Sequence, residues 1–257
     1  MANESADQNL PTRAPTYSSA WVDEHTISIA GKAVEEKSNE ITAIPDVLDS
    51  IDLTGAVVSI DAMGTQTDIA QMIVESEADY VLALKRNHRH LSEDVKDAFT
   101  GRYTQFIYST LDKDHGRVEE RIYTALRPQE VLDESQYEPW KNLSSLVQVE
   151  RLVTFSDGTE RRDKQYYLSS LPAEAVERIG TYIRGHWGIE NRLHWHLDVT
   201  FREDHCRARK AYAAQNLNTI RKLALAIVSQ RKDKLSIRKR LFTAALNIDY
   251  LKELLKI

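Results

Sequence analysis

Two short apolar runs, AVVSID (56–61) and DYVLAL (79–84), constrain what this chain can fold into more than any other feature of its sequence. Both are bounded by turn signals, and between them Ile69, Met72 and Ile73 recur at helical spacing within 65–76. Strand, helix and strand joined by short loops make a parallel α/β unit. Upstream, 17–22 and 26–30 read as a hairpin turning through Asp23, Glu24 and His25. Residues 41–48 read as a helix with Ser38 as its N-cap and an interruption at Pro45.

The texture changes at about Arg102. YTQFIYSTLD and GRVEERIYTAL alternate with period two around Lys113, Asp114, His115 and Gly116, and LVQVERLVTF and ERRDKQYYLSSL do so around Ser156, Asp157 and Gly158. Two antiparallel hairpins follow from that pattern, expected to stand beside the core sheet without joining it. After Pro172 the pattern is helical to the end. The expected organisation is a poorly ordered tail over 1–17, an α/β part over 18–101, a β insertion over 102–171 and C-terminal helices over 172–257. No internal repeat or low-complexity tract is visible.

Composition matters here for what it excludes. At 257 residues and 42% hydrophobic, the chain has enough apolar side chain for a core and is not a disordered polymer. Its longest apolar stretches fall far short of the roughly 20 residues that span a bilayer, and MANESADQNLPTRAP has no apolar segment of a signal peptide. One cysteine, Cys206, leaves no disulfide framework and suits a reducing cytoplasm. Charge is unevenly spread. Residues 202–240 carry 12 Lys and Arg against 3 Asp and Glu, a local +9, and 241–257 are neutral, so the total of −5 leaves −14 on the first 201 residues. A basic C-terminal stretch on an acidic chain points to a polyanion partner, or equally to a solvated helix face.

Asp61 ends the first strand, at the edge where α/β sheets place their ligands. The plainer reading is a turn cap, since Asp often follows a strand. His186, Glu190, His194 and Asp198 recur every four residues, one polar stripe on a helix, with Trp187, Leu193, Leu197 and Phe201 beside it to anchor the helix. Such a stripe fits a Mg²⁺ site shared with a strand carboxylate, a zinc site, or a solvated face with Glu–Arg pairs. Lys85, Arg86, Asn87 and His88 end the second strand on the same edge as Asp61, and Arg202, Arg207, Arg209 and Lys210 follow the stripe. Carboxylates for a divalent metal followed by cations for phosphates is the layout of nucleic-acid phosphoryl transfer. No phosphate-cradling glycine loop or dinucleotide fingerprint is present.

EKSNEITAIP (36–45), IDAMGTQ (60–66), DYVLALKRN (79–87), DHGRVEER (114–121) and IRGHWGIENRLHWHLDVTFRED (183–204) resemble, in order, successive blocks of one family. The family is that of bacterial insertion-sequence DDE transposases, which includes the H-repeat-associated proteins of Rhs elements. The resemblance implies a ribonuclease-H-like catalytic core with an antiparallel β insertion, and a helical C-terminal part carrying the last acid. It makes Asp61 the second and Glu190 the third acid of the triad, with Mg²⁺ or Mn²⁺ as cofactor. It implies double-stranded DNA, the transposon ends, as partner, met by Lys85, Arg86, Asn87, His194, Arg207, Arg209 and Lys210, and a homodimer in a synaptic complex. The sequence departs from the family at the first acid: no IDGK-like strand precedes the hairpin, and Asp7 and Asp23 follow no apolar strand. His186 stands four residues before Glu190, where related transposases carry Arg. The expectation is therefore a core lacking its first strand, an inactive truncated transposase. A non-catalytic DNA-binding relic and a zinc hydrolase using His186, Glu190 and His194 are the alternatives.

Overall fold

A computed structural model of the chain describes residues 16–23, 27–34, 40–114, 116–208 and 212–257. The chain divides into two units, residues 51–186 and residues 1–50 together with 187–257.

The first unit is built on one mixed six-stranded sheet. In chain order it contains β3 (Val57–Ile60), α2 (Thr67–Glu75), β4 (Asp79–Leu84), α3 (Arg89–Ala98), β5 (Phe106–Asp114), β6 (Arg117–Leu126), the single turn α4 (Glu134–Tyr137), β7 (Ser145–Phe155), β8 (Glu160–Ser169) and most of α5 (Val176–Ile189). Spatial order is β3-β4-β8-β7-β6-β5. β3 and β4 are parallel, from Val57↔Asp79 to Ile60↔Leu82, with α2 as crossover; every other pair is antiparallel. The two period-two stretches are the hairpins β5–β6 and β7–β8, with positive φ at Gly116 (74°) and Gly158 (82°). Glycine takes that φ without steric cost.

The expectation that these hairpins stand apart from the core sheet is wrong. β8 pairs with β4 from Val81↔Ser169 to Leu84↔Tyr166, so the insertion and the α/β unit share one sheet. The reason lies in β4. Tyr80, Val81, Leu82, Ala83 and Leu84 are all buried, so backbone N–H and C=O groups on both edges of the strand need partners, and β3 supplies only one edge. The Ser169 hydroxyl donates to the Tyr80 carbonyl (2.8 Å), and the Tyr80 N–H donates to the Ser170 hydroxyl (2.9 Å), locking the junction. On one face Val81, Ala83, Tyr123, Val147, Val149 and Tyr167 pack with Ile179 and Ile183 of α5.

The other unit begins with the expected hairpin, β1 (Thr16–Val22) paired antiparallel with β2 (Ile27–Val34), with a register shift between Ala20 and Trp21. Residues 1–15 of the expected tail, residues 24–26 and Ser38 lie outside the described residues. Pro45 does not interrupt α1 (Ala43–Asp49): it occupies the first turn, where its missing N–H is not needed. Beyond α5 the chain makes two π-helical stretches, Glu190–His194 and His196–Thr200, then α6 (Ala213–Ser229), α7 (Ile237–Leu246) and α8 (Ile248–Leu255). Leu193, Leu197 and Leu225 form a small core with Trp21, Ile189, Phe201 and Ile237 against it. Leu193, Leu197 and Phe201 anchor the helix as expected, whereas Trp187 is 46% exposed. No helix among the described residues is long and apolar enough to cross a membrane.

Candidate functional site

The parallel pair β3–β4 brings two loops to one end of the sheet. At Asp61 the chain leaves β3 with extended backbone, and the carboxylate turns back as a cap: Oδ1 accepts from the N–H of Met63 (3.1 Å) and of Gly64 (3.4 Å). The capping reading of Asp61 is therefore correct as far as it goes. The residue remains exposed, and Oδ2 makes no hydrogen bond or ion pair among the described residues. An exposed carboxylate with one oxygen held by backbone has the donor chemistry of a hard ligand.

The loop is braced from β4. Thr65, fully buried, donates its hydroxyl to the Ala83 carbonyl (2.7 Å), with the Asp61 carbonyl 3.1 Å away. Asn87 donates its side-chain amide to the Ala62 carbonyl. His88 Nε2 donates to the Thr65 carbonyl (2.6 Å), and the ring sits edge-on to Trp140 at 5.2 Å between centroids. Of the four residues after β4, Lys85 and Arg86 are exposed at the same sheet end, whereas Asn87 and His88 position the Asp61 loop. Sequence reading placed Asn87 among DNA contacts and gave Thr65 no role. The one signal in the sequence was a side chain able to hydrogen-bond locally a few positions past each strand, Thr65 after β3 and Asn87 and His88 after β4.

His186 lies within hydrogen-bond distance of Ser59, Oγ to Nδ1 3.1 Å, on the strand that ends in Asp61. Glu190 follows one helical turn later and opens the first π-helical stretch. An α-helix of 3.6 residues per turn lets a four-residue repeat drift by about 40° per step. π turns, one residue longer per hydrogen-bonded ring, take up that drift, and they recur at functional sites. In the same region His196 Nδ1 is 2.9 Å from the Thr200 hydroxyl, and burial holds its imidazole below the ordinary range, toward the neutral form. Asp23 accepts from Arg192 (3.0 Å).

The basic C-terminal stretch is only partly a surface. Arg221 pairs with Glu203 (2.9 Å), Lys222 donates to the Ser19 hydroxyl (2.5 Å), and burial lowers the pKa of Lys222. Arg240, buried, donates to Asp233 Oδ1 (2.8 Å) and to the carbonyls of Val228 (2.9 Å) and Asp233 (3.0 Å). Tyr250 donates to the second Asp233 oxygen (2.9 Å), and Arg231 pairs with Glu253 (2.6 Å). Arg202, Arg207, Lys232, Lys234, Arg238 and Lys239 are exposed and, among the described residues, outside any ion pair. His194 is half-buried, and Arg209 and Lys210 lie outside the described residues. Among the described residues no three His, Cys, Asp or Glu side chains stand grouped to hold a metal.

Residues 16–227 match the family model described as a transposase DDE domain. The chain belongs to the DDE transposase family. It is 34% identical over 245 residues to YhhI of Escherichia coli K12, whose name carries the words H repeat-associated and transposase, and 34% identical over 245 residues to YbfL of the same strain. It is 36% identical over 249 residues to YncI of E. coli O157:H7. Each alignment covers 92% of this chain, and the chain spans 62–64% of the length of these relatives. A piggyBac transposase synaptic complex with hairpin DNA is similar at a TM-score of 0.43 and 13% identity, over 91% of this chain and 46% of that one, a likeness too slight to carry an argument. DDE transposase domains use divalent metal ions. The zinc hydrolase is left without support by this family.

Proposed function

We propose that this chain is the DNA-processing part of a transposase, with Asp61 and Glu190 as ligands of Mg²⁺ or Mn²⁺ on a ribonuclease-H-like core. The observation that carries the reading is the state of Asp61: an exposed carboxylate at the C-terminal end of a parallel strand, one oxygen held by two backbone N–H groups and the other turned outward. Hard oxygen donors of this kind suit Mg²⁺, which takes one or two carboxylates and completes its shell with water and phosphate oxygens. A bound divalent ion would polarise a phosphodiester and lower the pKa of an attacking water or 3′-hydroxyl. The residues of the chain do the rest. Thr65, Asn87 and His88 hold the Asp61 loop in one conformation, and Lys85 and Arg86 neutralise the DNA backbone beside it. His194, Arg207, Arg209 and Lys210 extend that contact along the duplex, in the cytoplasm, with the protein acting as a homodimer on two transposon ends.

Two of the three acidic positions of the family are matched by carboxylates in this sequence. We infer that the chain binds a divalent ion and DNA. Binding to duplex DNA over a salt series tests the reading. Each phosphate contact contributes about 0.9 to the slope of log K against log salt. K85E/R86E and R209E/K210E should each weaken binding on all sequences alike and flatten that slope. Unchanged affinity in both variants would leave the basic residues as solvated surface and remove DNA as the partner.

A further inference from the structure

The two outer strands of the six-stranded sheet differ in how they are protected. β3 is four residues long, the usual way of blunting an edge. β5 is nine residues long, and its register with β6 runs from Phe106↔Ala125 to Asp114↔Arg117 without a shift, so no bulge twists it away. Its stretch 107–111, IYSTL, holds no proline and no charge. Among the described residues no strand pairs with its outer edge, so alternate backbone N–H and C=O groups face outward. Phe106 and Tyr108 turn to the α5 face, Phe106 under the Arg127 guanidinium at 5.2 Å and Tyr108 stacked on Tyr123 at 5.9 Å. Ile107, Ser109, Leu111 and Lys113 occupy the other face, all exposed, with Ile107 and Leu111 each 61% accessible.

We propose that this edge binds a second copy of the chain, β5 against β5 in antiparallel register about a two-fold axis at Ser109. The strand pairs with itself in that register, and the contact rests on the homodimer proposed above, for which it supplies the surface. Ile107 of one copy faces Leu111 of the other, twice, on the same sheet face, and Ser109 faces Ser109. Tyr108 meets Thr110, and Lys113 meets Gln105, so no like charges are opposed. A two-fold axis closes the contact, which gives a dimer with one continuous twelve-stranded sheet and leaves no growing end (six strands from each copy).

Ultracentrifugation of the full chain over a concentration series, alongside two double variants, decides it. I107K/L111K sets lysine against lysine twice, whereas I107K/L111E sets each lysine against a glutamate of the other copy. The wild type should dimerise, I107K/L111K should do so roughly tenfold or more weakly, and I107K/L111E should recover a dimer that salt weakens. Circular dichroism should be alike in all three, since the substituted side chains point into solvent. A wild type that stays monomeric, a dimer that persists in I107K/L111K, or an I107K/L111E chain no tighter than I107K/L111K would each overturn the proposal.

Discussion

The unit of residues 51–186 and the unit of 1–50 with 187–257 are held together by different means. In the first, a continuous six-stranded sheet carries buried aliphatic and aromatic side chains from β4 to β6, with its polar groups bonded at the Asp61 loop, at the β4–β8 junction and in the Arg151–Glu119 pair. In the second, the cluster of Leu193, Leu197 and Leu225 is small, and polar clasps stand beside it: Arg240 on Asp233 and two carbonyls, Arg221 on Glu203, Lys222 on Ser19. Phe242, Leu246 and Ile248 remain exposed there. The Asp61 loop is braced on a sheet of packed side chains, while the helices of the second unit lean on ion pairs and on hydrogen bonds from cationic side chains.

Removing packing should separate the units most sharply. Leu168→Ala, at a fully buried position of β8, should cost about 2–5 kcal/mol and unfold the sheet unit first in chemical denaturation. Equal loss from Leu225→Ala on an independently melting second unit would erase the contrast. Arg240→Ala should cost about 1–3 kcal/mol, because the carbonyls of Val228 and Asp233 lose their donor, with hydrogen exchange rising in α7 and α8 and not in β4. Thr65→Val, nearly the same shape, removes the hydroxyl bond to Ala83 and should cost about 1–2 kcal/mol, but weaken Mn²⁺ binding more than stability, since it frees the Asp61 loop.

The smallest effect is a pH dependence confined to the second unit. Burial depresses the His196 pKa, so between the folded and unfolded values the unfolded chain binds more protons. That contribution is fully present above about pH 6.5 and is lost as pH falls through the lower folded value. His196→Gln should flatten the dependence of helix melting on pH in that window; an unchanged profile would show that another group titrates.

What the sequence made legible is local. The β3–α2–β4 unit and both hairpins follow from period and turn residues within a dozen positions of each other. The joining of β8 to β4 does not, because its partners stand about 90 positions apart, as Tyr80 and Ser170 do, and nothing near either strand marks the pairing. The π turns from Glu190 were equally hidden, since no side-chain preference distinguishes them from α-helix. Asp61 was legible by its place after a strand. The bracing by Asn87 and His88 was not, because an exposed-looking polar residue after a strand reads the same whether it faces DNA or a neighbouring loop. In the basic stretch, charge counting saw the total but not that Arg221, Lys222, Arg231 and Arg240 are tied inward.

The central claim is that Asp61 and Glu190 share one divalent ion, and iron-directed cleavage of the chain itself reads this without depending on catalysis. Fe²⁺ loaded in place of Mg²⁺, with ascorbate and peroxide, generates hydroxyl radicals that cut backbone within reach of the ion. The account predicts fragments ending near residue 61 and near residue 190 together, both suppressed by excess Mg²⁺ and both lost in Asp61→Asn. Cuts at one position without the other, or a pair that survives Asp61→Asn, would contradict it.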